Sequence, residues 1–292
     1  MSTSATSWAA IELARTQSAP RVPFVVAGQC VGSVALAHGP ALRAWPHWLR
    51  LQDGPAGIAR VHLLPEEEAG RESALASINQ SLREQGLIRA WRDEPFPLFG
   101  ADGRQVLARF ERAAARFWGS LTLGAHANGY VAGTDGRPTH LWLATRALNK
   151  PTDPGLRDNL VGGGVPLDQT PWEALVREGW EEAGLPPTVM QQARPGRVIR
   201  IDRDAPEGRM VEHVHVFDLA LPPELIPVNQ DGEVAALQCL PLKEAAAVAE
   251  AGEMTVDAAL VTLDFLLRHA LLPPAQHAAL QSRAAGLWTA RG

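Results

Sequence analysis

Residues 162–185 read GGGVPLDQTPWEALVREGWEEAGL, and Glu178, Glu181 and Glu182 crowd three negative charges into five residues of it. The segment carries the marks of a helix. Thr170 is a good N-cap, Pro171 suits the first helical position, Glu173 completes a capping box and Gly184 is a stop. At helical spacing Trp172, Leu175, Val176, Gly179 and Ala183 form an apolar stripe, and Glu178, Glu181 and Glu182 share the other side. Like charges three and four residues apart cost a few tenths of a kcal/mol per pair, roughly, and nothing else in the helix requires that cost. A hard divalent cation reverses its sign, because such ions prefer clustered carboxylate oxygens. An isolated acidic helix face is ordinarily just solvated. Here a run of three glycines precedes the helix and Arg177 adjoins the glutamates.

Gly163, Gln169, then Arg177-Glu178-Gly179-Trp180-Glu181-Glu182-Ala183-Gly184-Leu185 resembles the Nudix box. The resemblance implies an α/β/α sandwich and a metal-dependent hydrolase that cleaves a diphosphate linked to another moiety. By position it implies that Glu178, Glu181 and Glu182 bind Mg²⁺ or Mn²⁺ and that Arg177 braces them. Gly162, Gly163 and Gly164 would let the backbone approach the metal and the phosphates. Bound metal would neutralise the diphosphate and lower the pKa of the attacking water. A glutamate from another loop often completes such a site, and Glu233 in NQDGEV is the candidate, the alternative being an exposed turn residue. Two positions depart from the pattern. The family's first glutamate falls on Gln169, with Asp168 beside it, and Gly179 stands where an aliphatic residue is usual.

The rest of the chain sets the frame. Its 292 residues suggest two domains, and 46% hydrophobic with 20% charged residues is ordinary for a globular protein. A net charge of -5 argues against bulk binding to nucleic acid or an anionic membrane. Two distant cysteines, Cys30 and Cys239, imply no disulfide framework and read as buried thiols. With no secretory signal visible at the start, the cytoplasm is the expected setting. VPFVVAGQCVGSVAL predicts two short strands, residues 66–87 a helix, and GRQVLARFERAAARFW a second helix with Val106, Leu107, Phe110 and Ala114 inward. These make a small N-terminal α/β domain, residues 1–120. From residue 121 to 292 a hairpin turning at Asp135-Gly136, strands in 196–221 and 234–242, and an apolar C-terminal helix suggest an α/β sandwich.

Beyond the box, HANGYV, LWLATRALNKPTDPGLRDNLVGGG and NQDGEV are similar to a Nudix subgroup associated with thiamine pyrophosphokinase, as are WRDEPFPLFG and FERAAARFWGSLTLGAHANGY. That likeness implies a diphosphatase for thiamine diphosphate analogues, such as oxo- and oxythiamine diphosphate, giving monophosphate and phosphate. Arg146 and Lys150 are basic, as a diphosphate requires, though such residues are as often plain surface. Trp142 and Trp180 could stack on a ring or simply pack. Asn128 and Asp158 lie in the family-like motifs, and His213 and His215 read as ordinary strand residues. The alternatives are a nucleotide diphosphate derivative such as ADP-ribose, a non-catalytic ligand sensor that Gln169 would favour, and an isomerase chemistry that neither cysteine is placed to support.

Overall fold

The computed structural model describes residues 8–55 and 57–289. After a short helix α1 (Ala10–Leu13), β1 (Arg21–Val26) and β2 (Gln29–Ala35) form a hairpin. Its two-residue turn needs positive φ at Ala27 and Gly28, which suits the right-handed twist of the strands. Helix α2 (Gly39–Leu42) leads to β3 (Leu49–Gly54) and β4 (Gly57–Leu63), and the four strands make a sheet ordered β2-β1-β4-β3. Helix α3 (Glu68–Glu84) buries Ala74, Leu75, Ile78 and Leu82, as their spacing predicts, in a core shared with Phe24, Phe117 and Trp118.

The helix expected over residues 103–118 is a strand for its first half. β5 (Pro95–Phe99) and β6 (Val106–Glu111) pair antiparallel from Pro95↔Glu111 to Phe99↔Val106, and only Ala114–Trp118 (α4) is helical. The apolar spacing of 106, 107 and 110 fits either state. The Gly100–Gln105 turn decides it by returning the chain onto a partner strand, with Gly103 at φ 66°.

The second half is built on one mixed sheet. Its elements in order are β7 (Leu121–Ala132), β8 (Pro138–Arg146), β9 (Arg157–Asp158), β10 (Val161–Gly164), α5 (Pro171–Ala183), α6 (Pro187–Met190), β11 (Arg194–Ala205), β12 (Gly208–Ala220), β13 (Val234–Pro241), α7 (Leu242–Glu250), α8 (Val256–Arg268), α9 (Pro274–Ala284) and β14 (Trp288–Thr289). The strand order is β13-β8-β7-β12-β11-β14, with β10 paired to β7 and β9 to β8. β7 and β12 run parallel at its centre. Alternation sorts their side chains. Ala125, Ala127, Phe217 and Leu219 face α5, whereas Val214 and Val216 join Leu260, Leu263 and Phe265 of α8 on the opposite face. Helices thus cover both faces of the sheet, and the architecture is the expected α/β/α sandwich beside a smaller α/β unit.

Helix α1 departs from its sequence neighbours. Trp8, Ile11 and Ala14 are fully buried in the α8-side core, and Ala14 and Thr16 accept the N–H groups of Asp202 and Asp204 on β11, both at 2.9 Å. Among the described residues no helix is long and apolar enough to cross a membrane. The cysteines are not the buried thiols expected. Both are free, Cys30 is exposed because its side chain leaves the outer face of β2, and Cys239 is partly exposed near the edge of the larger sheet.

Candidate active site

Helix α5 forms as its sequence dictates. Thr170 accepts the N–H of Glu173, Glu173 bonds back to Thr170 N–H, and Gly184 closes the helix in the left-handed region. Burial does not follow the simple two-sided reading. Glu178 and Glu182 are 9% and 6% exposed, on the side that meets β10, and only Glu181 stays substantially open. The reason is the glycine strand. A Cβ on Gly163 would land on the Glu178 carboxylate, so that residue's lack of a side chain lets α5 approach. Gly162 donates its N–H to Glu182 Oε2 at 2.8 Å.

The electrostatics follow from this packing. Burial, with Glu178 and Asp158 nearby, holds Glu182 well above the ordinary carboxylate range, and the Gly162 N–H only partly opposes it. Burial also raises Glu178, against the pull of Arg177. Arg177 divides its guanidinium among three oxygens: Gln169 Oε1 accepts from Nε at 3.2 Å, Glu181 from Nη1 at 2.7 Å, and Glu178 Oε1 lies 3.0 Å from Nη2. Gln169 therefore occupies a bracing position, while Asp168 is exposed. The space left by Gly179 is filled by Met190 of α6, whose Sδ would lie 2.6 Å from a Cβ at 179.

Glu233 sits at the start of β13 in a bridge between Lys150 and Arg92, with Arg92 Nη1 3.3 Å away. Although its burial opposes ionisation, these two cations hold Glu233 below the usual carboxylate range. Arg146 is likewise not a solvated surface residue. It bonds Asp158 at 2.9 Å and the Thr152 carbonyl, also at 2.9 Å. Trp142 is packed in the α5-side core and Trp180 is half exposed. His213 and His215 are partly buried in β12, where burial lowers both, with Arg200 adding to the effect at His213 and His213 at His215.

A cavity of about 110 Å³ opens on the α8 side of the glycine strand, opposite Glu178. Gly162 and Gly164 face it. A Cβ on Gly162 would meet His126 Cε1 at 2.8 Å, and one on Gly164 would meet Phe96 at 2.8 Å and Arg112 at 3.0 Å. Arg112 and Arg116 reach this cavity from the N-terminal half, fixed by Glu94 and Glu207, each at 2.8 Å. The loop before α5 is tied to the same half, since Leu167 N–H donates to Pro95 O at 3.2 Å. Sequence reasoning missed Arg112, Arg116, His126, Glu212 and Asp257. Only the pairing of distant strands brings them together, and no local pattern marks them.

The donor chemistry suits a hard divalent cation. Two buried carboxylates lie side by side against a glycine backbone, and among the described residues no cation forms an ion pair with Glu182. Nor, among the described residues, do three or more His, Cys, Asp or Glu side chains converge tightly enough to enclose an ion by themselves. An ion there would draw on Glu178, Glu182 and Glu181, with Glu233 as the more distant candidate.

Comparison with known proteins agrees with this geometry. A NUDIX domain model matches residues 123–260, and a domain of unknown function, DUF4743, matches residues 5–121. The chain is 32% identical over 261 residues to Nudix hydrolase 20, chloroplastic, of Arabidopsis thaliana, covering 87% of this chain and 69% of that protein. The chain belongs to the Nudix hydrolase family. Nudix hydrolase 24, chloroplastic, of the same plant is also 32% identical, over 257 residues, with the same two coverages of 87% and 69%. Among solved structures, DR0079 from Deinococcus radiodurans superposes with a TM-score of 0.44 at 22% identity, covering 57% of this chain and 97% of that one. As a Nudix hydrolase the protein is an enzyme that acts on a diphosphate-type linkage, and Nudix enzymes generally use divalent metal ions.

Proposed function

We propose that the protein is a Mg²⁺- or Mn²⁺-dependent diphosphatase for thiamine diphosphate analogues, oxothiamine diphosphate above all and oxythiamine diphosphate among them, yielding monophosphate and phosphate. The observation that carries the hydrolytic part is the buried Glu178–Glu182 pair against Gly162 and Gly163, with Glu182 lacking a protein counter-ion among the described residues. The metal, when bound, supplies a water of lowered pKa and neutralises the diphosphate. The chain's own residues do the rest. Gly162 orients Glu182 through its N–H, and Arg177 holds Glu181 and Glu178 apart from one another's charge. Lys150 shares Glu233 with Arg92 and in this reading would exchange that partner for a phosphate oxygen.

The thiamine reading rests on the sequence likeness outside the box and on a cavity that both halves line. Two domains, 1–120 and 121–292, are the proposed organisation, with the opening residues packed into the core of the second and Arg112 and Arg116 as the first domain's contribution to the cavity. The partner is a small-molecule diphosphate rather than nucleic acid or membrane, and the setting proposed is the cytoplasm. Steady-state kinetics on thiamine, oxothiamine and oxythiamine diphosphates, beside ADP-ribose and dinucleotide polyphosphates, with and without Mg²⁺, tests it. A kcat/KM for ADP-ribose or a dinucleotide well above all three thiamine compounds overturns the thiamine reading and leaves the general Nudix one.

A further inference from the structure

Where the two halves meet, four guanidiniums gather round a smaller cavity of about 70 Å³. Arg89 and Arg92 come from the loop after α3, Arg112 from the turn into α4 and Arg116 from α4 itself, while Thr152 and Glu207 close it from the catalytic half. One carboxylate staples both arginine-bearing segments. Glu111 accepts the backbone N–H groups of Arg92 at 3.0 Å, Glu94 at 3.1 Å and Ala113 at 3.2 Å. This small cavity shares Arg112, Arg116 and Thr152 with the larger one beside the glycine strand. Lys150, two residues before Thr152, links it to the catalytic carboxylates, since it acts on Glu182 through space and shares Glu233 with Arg92.

Cations outnumber their partners here. Arg92, Arg112 and Arg116 each give one nitrogen to a carboxylate, that of Glu233, Glu94 and Glu207 in turn. Arg89 bonds the Gly86 carbonyl at 3.2 Å and forms no ion pair among the described residues. A guanidinium carries several N–H donors in a planar fork, so a single contact leaves most of that fork unspent. Arg209 shows the other case, closing on Asp202 with two nitrogens at 2.6 and 2.8 Å. The size of the cavity restricts what could use the spare donors. At about 70 Å³ it is far below the roughly 300 Å³ at which ligand pockets begin, and it suits a tetrahedral oxyanion rather than a heterocycle.

We propose that this arginine mouth holds the terminal phosphoryl group of the substrate, so that the N-terminal half selects diphosphates ending in a free phosphate over diphosphates joined to a second organic group. A terminal phosphoryl group offers three unesterified oxygens and the greater negative charge, which parallel arginine forks match well. An internal diphosphate has fewer free oxygens on each phosphorus and continues into a sugar for which the mouth has no room. Arg92 couples the two sites. When Lys150 exchanges Glu233 for a phosphate oxygen, Arg92 loses the same partner and is freed for the same phosphate chain. This deepens the diphosphatase reading and rests on it. It ranks the thiamine diphosphates above ADP-ribose, and it makes released inorganic phosphate a competitive inhibitor held by the N-terminal half.

Calorimetry with inorganic phosphate on the full chain in chelator reads the mouth without turnover. The wild type should bind phosphate, and an Arg89→Gln, Arg92→Gln double variant should bind it about tenfold or more weakly, since charge-assisted hydrogen bonds are lost. Arg89→Gln alone should weaken it in the same direction, and it orphans no carboxylate. Kinetics with Mg²⁺ then compare oxothiamine diphosphate and ADP, which end in a free phosphate, with ADP-ribose, which shares its adenosine with ADP but does not. The double variant should raise KM for the first two by about tenfold or more, with kcat within about threefold, and move KM for ADP-ribose by less than about twofold. A wild type that binds no phosphate, or a folded double variant that binds it as the wild type does, overturns the proposal. So does an equal loss on ADP-ribose, which would make the arginines a general field and not a terminal clamp. Arginine-dependent phosphate binding and ADP turnover, without turnover of any thiamine compound, retain the clamp and remove the thiamine reading. Oxothiamine diphosphate turnover indifferent to Arg89 and Arg92 retains that reading and overturns the clamp.

Discussion

Gly162 donates its backbone N–H to the Glu182 carboxylate at 2.8 Å, and no ion pair among the described residues neutralises that carboxylate. Glu182→Gln should keep the fold and lower turnover by about a hundredfold or more, because the ion loses a charged ligand and its water loses activation. Stability should move the other way. A carboxyl raised by burial holds its proton more tightly folded than unfolded, so its contribution is best below the ordinary value of 4.5 and worsens as pH rises through the folded value. Melting in chelator should therefore show Glu182→Gln gaining on the wild type as pH rises above that point. Added Mg²⁺ should raise the wild-type melting temperature more than that of the variant. Near-normal activity in a folded Glu182→Gln protein sinks the assignment.

Gly163→Ala tests the approach of α5 to the glycine strand. The new methyl would occupy the place of the Glu178 carboxylate and force that side chain aside. A displacement of about 1 Å at such a site costs on the order of a hundredfold in rate. The expected result is a folded protein with that loss and a Mg²⁺ midpoint shifted to higher concentration in titrations. Unchanged kinetics would mean that Glu178 does not need its observed position.

Gly179→Ala tests the other departure from the family pattern. Its methyl would meet Met190 Sδ at 2.6 Å, and such overpacking costs about 1–3 kcal/mol. Trimming the neighbour in a Gly179→Ala, Met190→Ala double variant should recover part of that loss. Denaturant unfolding of the two single variants and the double reads the coupling directly, and strict additivity would show that the two residues do not share the space.

Gln169→Glu should change turnover by no more than about fivefold, since one partly exposed ion pair is worth about 1 kcal/mol or less. The amide oxygen already accepts Arg177 Nε at 3.2 Å, which is the contact a carboxylate would make. A gain far above that range in steady-state assays would show the bracing by Gln169 to be inadequate.

The chemistry of α5 was legible because capping, helical period and charge crowding are all local. So were the β1–β2 hairpin and α8, where turn residues or a long apolar period leave little choice. β6 was not, since Val106, Leu107 and Phe110 suit a helix as well as a strand and β5 makes the choice from outside the segment. The inward turn of Glu178 and Glu182 was hidden for a similar reason. A helical wheel separates charged from apolar residues, but it cannot show that a side-chain-free strand lies against the charged ones. Glu212 and His126 were silent in sequence because their meeting depends on the parallel pairing of β7 with β12.

The burial of Trp8, Ile11 and Ala14 against the α8 side has a practical consequence for dissecting the enzyme. A fragment starting at residue 121 would lack a plug from its own hydrophobic interior and the backbone acceptors that Ala14 and Thr16 offer to β11. It would expose Leu260 and Leu263 and leave a length of strand edge bare, the kind of surface on which proteins self-associate. The opening residues and the catalytic half therefore pack as one structural unit. A minimal catalytic version should be made by fusing residues 8–16 back through a linker rather than by trimming.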